Sequence, residues 1–261
     1  MAQADDELEQ GKMPLLDHLV ELRQRLIYSA LAWIVAFVPC VYFSRYVFEF
    51  LANPMIKILK DNNQPFIYTD PTEAFFTDLR VAFWLAFCVA FPAIAFQVWR
   101  FVAPGLYRNE RGAFLPYLFA SPVLFILGAA LAYWGIFPLA FTFFASFQNE
   151  TTKLVPKVSE YLTLVLRLIF AFGVTFQMPV LLTLMARVGL ATSAGLAAKR
   201  RYAIVAITAV AGVLTPPDVF SMMALMVPLF LLYEVSIVSC RMVEKQRAAR
   251  EAAEEDESGS T

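Results

Sequence analysis

Residues 81–111 read VAFWLAFCVAFPAIAFQVWRFVAPGLYRNER. Residues 81–99 of this stretch carry no charge, and at 1.5 Å per residue a helix over them crosses ~30 Å of hydrocarbon. Pro104 and Gly105 then supply turn chemistry, and Arg108, Glu110 and Arg111 set three charges at the break. From Gly112 the chain returns to an uncharged run that lasts to Asn149. One span, one short polar loop and another long apolar run make this an all-α polytopic membrane protein.

The rest of the chain agrees. Of 261 residues, 59% are hydrophobic and 16% charged, and 25 are Phe. A typical soluble domain has roughly 25% charged residues, so a water-soluble fold of this size has no way to hide the apolar surface. The net charge of -1 gives no reason to expect a nucleic-acid partner. Cys40, Cys88 and Cys240 lie far apart and read as free thiols in apolar helices. The acidic N-terminus has neither a basic region nor a cleavage site, so the first apolar segment is expected to be retained.

Six spans are predicted. Residues 1–13 are polar and expected to be disordered. Residues 14–25 form an amphipathic helix, with Leu15, Leu19, Leu22 and Leu26 in one stripe, which leads into span one over 26–43. Residues 45–73 read as an amphipathic and loop region with Pro54, Pro65 and Pro71. Asp70-Pro-Thr-Glu73 signals a helix start, with Asp70 as N-cap and Pro71 at the first helical position. Span three is expected over 113–137, divided by Pro138 from a Phe-rich interfacial segment. Span four covers 161–186 and ends at Gly189. Thr192 or Ser193 caps the segment that leads through Lys199, Arg200 and Arg201 into span five. Thr215-Pro-Pro-Asp218 breaks span five from span six, and residues 241–261 form a charged tail. Residues 14–240 therefore read as one membrane domain.

Prolines 39, 92, 116, 122, 179 and 228 fall inside spans and predict a kinked, concave bundle. The charge-free parts of helices five and six are short for a bilayer, roughly 24 Å for the fifth. With six spans both termini share a side. That side carries 14 Lys and Arg against 5 on the other, which places both termini in the cytoplasm. Arg80 and Arg167 lie inside helices near the outer end, where they snorkel or pair.

The candidate chemistry is sparse. Glu21 and Glu110 are both expected at the cytoplasmic interface, where carboxylates clamp guanidinium groups through paired hydrogen bonds. Each has a plainer alternative: an i,i+4 pair with Arg25 for Glu21, and a first-turn acid beside the Asn109 cap for Glu110. Gln177, in the middle of span four, marks either a functional polar spot or an interhelical hydrogen bond. Asp218 reads as a cap of helix six. His18 is the one histidine, which argues against a metal site or a histidine proton relay. The absence of GxSxG, HExxH and a Gly-rich phosphate loop argues against an enzyme.

Five stretches carry a resemblance: His18-Leu-Val-Glu-Leu-Arg23, residues 97–111, Phe172-Gly-Val-Thr-Phe-Gln-Met-Pro179, Lys199-Arg-Arg-Tyr202 and Leu214-Thr-Pro-Pro-Asp-Val-Phe220. In this order they closely resemble the TatC family, the six-helix core receptor of the twin-arginine protein export system, over residues 14–244. The resemblance implies a receptor for twin-arginine signal peptides on folded cargo. It implies export across the bacterial cytoplasmic membrane on the proton-motive force, with no catalysis and no cofactor. The implied partners are TatB-like and TatA-like single-span proteins, membrane lipid and other copies in the receptor complex. Glu21, Glu110, Arg23 and Phe101 match the family's signal-binding positions. Pro54 and Asp218 match other functional positions. Thr215, Asp218, Ala209, Gly212 and Met222 fall on the surface of spans five and six where partner helices dock. There are two departures. Gln177 stands where the family often has Glu, and an amide does not titrate. Met222 stands where a polar residue occurs. The alternative class is a proton-coupled transporter of small solutes, against which count the lack of an internal repeat and of a mid-depth carboxylate in spans one to four.

Overall fold

The computed structural model describes residues 2–61, 67–102, 115–146, 156–187, 189–214 and 219–259. Among these the chain is helical nearly throughout, and its strand-like feature is an isolated parallel bridge between Ile67 and Lys157.

Helix α1 runs from Ala2 to Asp61 without interruption, 60 residues or ~90 Å. Residues 45–61, read as part of an amphipathic and loop region over 45–73, belong to this helix. No glycine occurs between residues 12 and 61, and Pro54 is accommodated by its neighbours. Pro54 has no N–H to offer the Phe50 carbonyl. The Tyr133 hydroxyl donates to that oxygen at 2.5 Å, and the Tyr161 hydroxyl donates to the next one, Leu51 O, at 2.8 Å. Around these bonds Leu51, Met55 and Leu59 are buried against Phe137, Phe141 and Leu162. The segment that read as a loop is therefore a helix with one face in the core. Further back, Leu26, Leu31, Ile34, Val38 and Tyr42 are exposed, as lipid-facing residues of a spanning helix must be.

Helix α2 spans Glu73–Val102. Its start follows the predicted chemistry: Asp70 Oδ1 accepts from the Thr72 N–H at 2.8 Å and from the Thr72 hydroxyl at 2.7 Å. Those two bonds hold the Asp70 carboxyl below its ordinary pKa. Glu73 reaches back to the Thr69 N–H at 2.7 Å and across to the Ser159 N–H at 3.1 Å, so one side chain caps two helix starts.

The third span is longer than predicted and is not divided at Pro138. Helix α3, Leu115–Ala130, passes through a π turn, Leu131–Ile136, into helix α4, Phe137–Ala145. The Phe137 N–H bonds to Ala132 O, five residues back. The wider turn ahead of Pro138 absorbs the missing donor that would otherwise break the helix.

The fourth span is split instead. Helix α5, Val158–Thr175, and helix α6, Met178–Arg187, flank a break at Phe176 and Gln177. Gln177 N bonds to Val174 O rather than to Gly173 O. At the far end Gly189 takes φ 76°, the left-handed stop expected of it. Thr192 is the N-cap of helix α7, Ser193–Ala198, accepting from the Gly195 N–H at 3.0 Å.

Helix α8, Arg200–Leu214, has 15 residues, about 22 Å, and is the short fifth span. Helix α9, Val219–Gly259, has 41. The shortness predicted for the sixth span belongs to its apolar part, not to the helix. Two carboxylates on α9 tie it to the preceding elements. Glu234 accepts from Arg200 Nε and Nη2 at 2.7 and 2.9 Å, and Glu244 accepts from the Ser193 N–H and hydroxyl at 2.6 and 2.5 Å. The three cysteines are free thiols.

Two glycines set the closest helix packing. A Cβ on Gly173 would sit 2.5 Å from the Phe125 ring, and one on Gly128 would sit 2.7 Å from Phe172 O. Helices α3 and α5 approach through these positions, as small residues allow inside a membrane.

Candidate functional site

Helices α1 and α2 run together along much of their length, and at the end nearer the N-terminus their contact is polar and aromatic. His18, Glu21 and Arg25 share one face of α1. The His18 ring stacks on Phe101 of α2, with centroids 4.3 Å apart and planes 20° from parallel. Glu21 Oε1 accepts from Arg25 Nη2 at 2.9 Å, and Arg25 Nη1 donates to Gln97 Oε1 at 3.4 Å. Glu21 and Phe101 are thus joined to one seam by Arg25–Gln97 and His18–Phe101. The Glu21 side chain keeps 30% of its surface. The plainer alternative for Glu21, a pair with Arg25, exists, but it does not close the carboxylate off. An i,i+4 pair at a partly exposed position contributes about 0.3–0.5 kcal/mol, so a better-placed guanidinium can displace or share it.

Arg23 lies roughly 200° around the helix from Glu21 and is exposed, away from α2. Glu110, the second predicted carboxylate, lies outside the described residues, as do Thr215 and Asp218.

A second polar node sits at the α5–α6 break. Gln177 Nε2 donates to Ser121 O at 3.0 Å and to Gly173 O at 3.3 Å. The second bond replaces the backbone donor that Gly173 loses when Gln177 N shifts to Val174. Ser121 Oγ in turn accepts from the Trp99 indole at 3.1 Å. Helices α2, α3 and α5 therefore meet at one buried serine. Beside it lies a cavity of about 180 Å³, lined by Phe91, Ala95, Trp99, Gln177, Val180 and Leu184. The interhelical hydrogen bond foreseen as one reading of Gln177 is present.

The α8–α9 hairpin holds the remaining predicted positions. Tyr202, Val205, Ala206, Ala209, Val210 and Val213 form an exposed stripe on α8, while Ile207 and Ala211 face α9. Ala209 is on the open stripe. Gly212 is exposed at its edge, with the place of a Cβ 3.8 Å from the Met222 sulfur. Met222 is half-buried against the core. Pro54 lies at the opposite end of α1 from Glu21, under the two tyrosine hydroxyls.

Sequence reasoning missed Gln97 and Arg25 as the tie between α1 and α2, and it gave His18 no partner. The available signal was spacing: Gln97 precedes Phe101 by four residues and shares its face, and His18 precedes Arg25 by seven. The Trp99–Ser121 bond joins residues with no sequence relation and had no signal.

The fold defines a multi-pass helical membrane protein, with one polar node at the α1–α2 seam and another at the α5–α6 break. The family model described as Sec-independent protein translocase protein (TatC) matches residues 17–228, and the chain belongs to that family. A relative of that description from Magnetococcus marinus is 49% identical, over 94% of this chain and 90% of its own length. One from Escherichia coli K12 is 39% identical over 87% and 88%. A crystal structure described as the twin arginine translocase receptor TatC superposes with a TM-score of 0.78 at 38% identity, covering 87% of this chain and 99% of that one. The small-solute transporter alternative finds no support in these likenesses.

Proposed function

We propose that the protein is the signal-peptide receptor and core component of a twin-arginine translocase, exporting folded proteins across the cytoplasmic membrane on the proton-motive force. Family membership supports this reading, and the observation that carries it is Glu21 at the α1–α2 seam. There a half-exposed carboxylate stands within a turn of the helix face that bears the Phe101 stack. Glu110 follows Phe101 by nine residues and supplies the second carboxylate. Two planar cations, from adjacent arginines of a signal peptide, meet one carboxylate each in a fork geometry that an ammonium does not reproduce. Arg23 and Phe101 complete the site. The protein itself catalyses nothing; it recognises and positions.

TatB-like and TatA-like helices dock on the outer stripe of α8 and its junction with α9, at Ala209, Gly212, Thr215, Asp218 and Met222. Small residues along α8 allow a partner backbone to approach closely. Both termini face the cytoplasm, one six-helix domain covers residues 14–240, and copies associate in the receptor complex.

The deciding experiment is precursor affinity in nanodiscs. Each charge-assisted hydrogen bond contributes about 1.5–3 kcal/mol, so Glu110→Gln weakens binding by roughly one to two decades. Glu21→Gln weakens it less, because Arg25 already shares that carboxylate. Equal affinity for the wild type and the double Gln variant would end the clamp reading.

A further inference from the structure

Arg80 and Arg167 have no part in the site above. Arg80 is in the third turn of α2 and Arg167 in the third turn of α5, each roughly 10–14 Å along its helix from the end that carries Glu73 and Val158. Both are exposed, and both line one pocket of about 270 Å³ with Ser159, Glu160, Thr163 and Leu164. Arg80 donates to the Thr163 hydroxyl, which itself donates to Ser159 O at 2.6 Å. Neither arginine has a carboxylate within salt-bridge distance among the described residues. Glu160, the one acid of the lining, is 3.8 Å from Lys157. Two guanidinium groups thus share one opening with a single carboxylate that is already matched.

The surroundings are those of a membrane. Phe76, Leu79 and Phe83 on α2 are exposed beside Arg80, as lipid-facing residues are. An arginine at such depth without a counter-charge is costly, and it is relieved by a partner or by snorkelling. Two arginines on separate helices that converge on one hydroxyl-lined opening do more than snorkel: they present a cradle for three or four acceptor oxygens. An Arg fork suits phosphate geometry. Acyl chains attached to that phosphate would lie along the exposed Phe and Leu side chains.

We infer that the Arg80–Arg167 pocket binds the phosphate of an anionic phospholipid, whose headgroup bridges α2 and α5 and whose chains cover the adjoining face. The test uses the full-length protein purified in detergent. Native mass spectrometry measures retention of added phosphatidylglycerol and, separately, of phosphatidylcholine. Thermal unfolding is followed with each lipid and with inorganic phosphate. Wild type retains phosphatidylglycerol in preference to phosphatidylcholine and gains stability from it, and inorganic phosphate does not substitute. In Arg80→Gln/Arg167→Gln the preference falls by about ten- to a hundredfold, while Lys57→Gln, which removes a cation elsewhere, leaves it intact. The lipid comparison on wild type stands even if the double variant does not fold. Equal retention of the two lipids overturns the proposal. So does equal protection by inorganic phosphate, which would make this a site for a free anion, and so does an unchanged preference in a folded double variant.

Discussion

A single side chain decides how the fourth span is held at its break. Gln177 has two donors, and both go to backbone carbonyls, one on its own helix and one on α3. Replacing it by Leu leaves two carbonyls with one partner fewer each, a cost of about 1–3 kcal/mol in a part-buried site. Gln177→Leu is therefore expected to lower the thermal midpoint in detergent, and Ser121→Ala to lower it too by removing the hydroxyl that accepts from the Trp99 indole, with the double variant showing less than the sum. Additive losses would mean that the two bonds are not one node. At the aqueous end the same logic has a pH sign. The Asp70 carboxyl has a pKa lowered by its bonds from Thr72, so the ionised form is favoured by folding. Its contribution is present above the unfolded pKa of about 3.9 and is lost as pH falls through the lower folded value. Asp70→Asn should flatten that acid limb of a stability-against-pH curve and leave the neutral limb alone. Residue roles were legible where they depend on neighbours in sequence. The Asp70 cap, the Thr192 cap and the Gly189 stop follow from local chemistry alone. The Trp99–Ser121 bond depends on how two consecutive helices pack, and the capping of Ser193 by Glu244 on helices that sequence order does not juxtapose.

Element by element, hydropathy found the spans and misplaced their ends. Charge marks where a helix meets water, not where it stops hydrogen bonding. Hence α1 continues through residues 45–61, and α9 through its charged C-terminal half. Proline was read as a break, yet Pro54 and Pro138 are carried inside helices because tyrosine hydroxyls or a π turn provide for the affected backbone. The α3–α5 contact went unread, since nothing about Gly128 or Gly173 in isolation marks it. It makes a sharp prediction. Gly173→Ala drives a methyl group into the Phe125 ring, and Gly128→Ala drives one into the Phe172 carbonyl. Each should cost about 1–3 kcal/mol through overpacking, read as a fall in thermal midpoint of the purified protein; unaltered midpoints would show that the helices separate at no cost. On α8 the opposite holds. Ala209→Trp points into open space, so it should leave the midpoint alone and reduce copurification of a TatB-like partner, and undiminished copurification would remove the outer stripe as a docking face.

For the molecule as a whole, the distribution of charge bears on the proposed orientation. Fourteen Lys and Arg on the proposed cytoplasmic side against five opposite make single cysteines at Asn63 and Asn149 reactive to an impermeant reagent from outside the cell. Reaction of either only after lysis would invert the arrangement. The long first helix has a mechanical side. Roughly 44 Å of it separate Glu21 from Phe50, and the Phe50 end is pinned by two phenols. Pinned there, the helix is a lever: a tilt of about 5° at the pin sweeps Glu21 sideways by ~4 Å over that length, more than a hydrogen bond can follow. Helix α2 must travel with it, clasped through Trp33, Arg25 and His18. If Glu21 grips a cation as proposed, that grip depends on how little angular play remains at the other end of the lever, some 40 Å away.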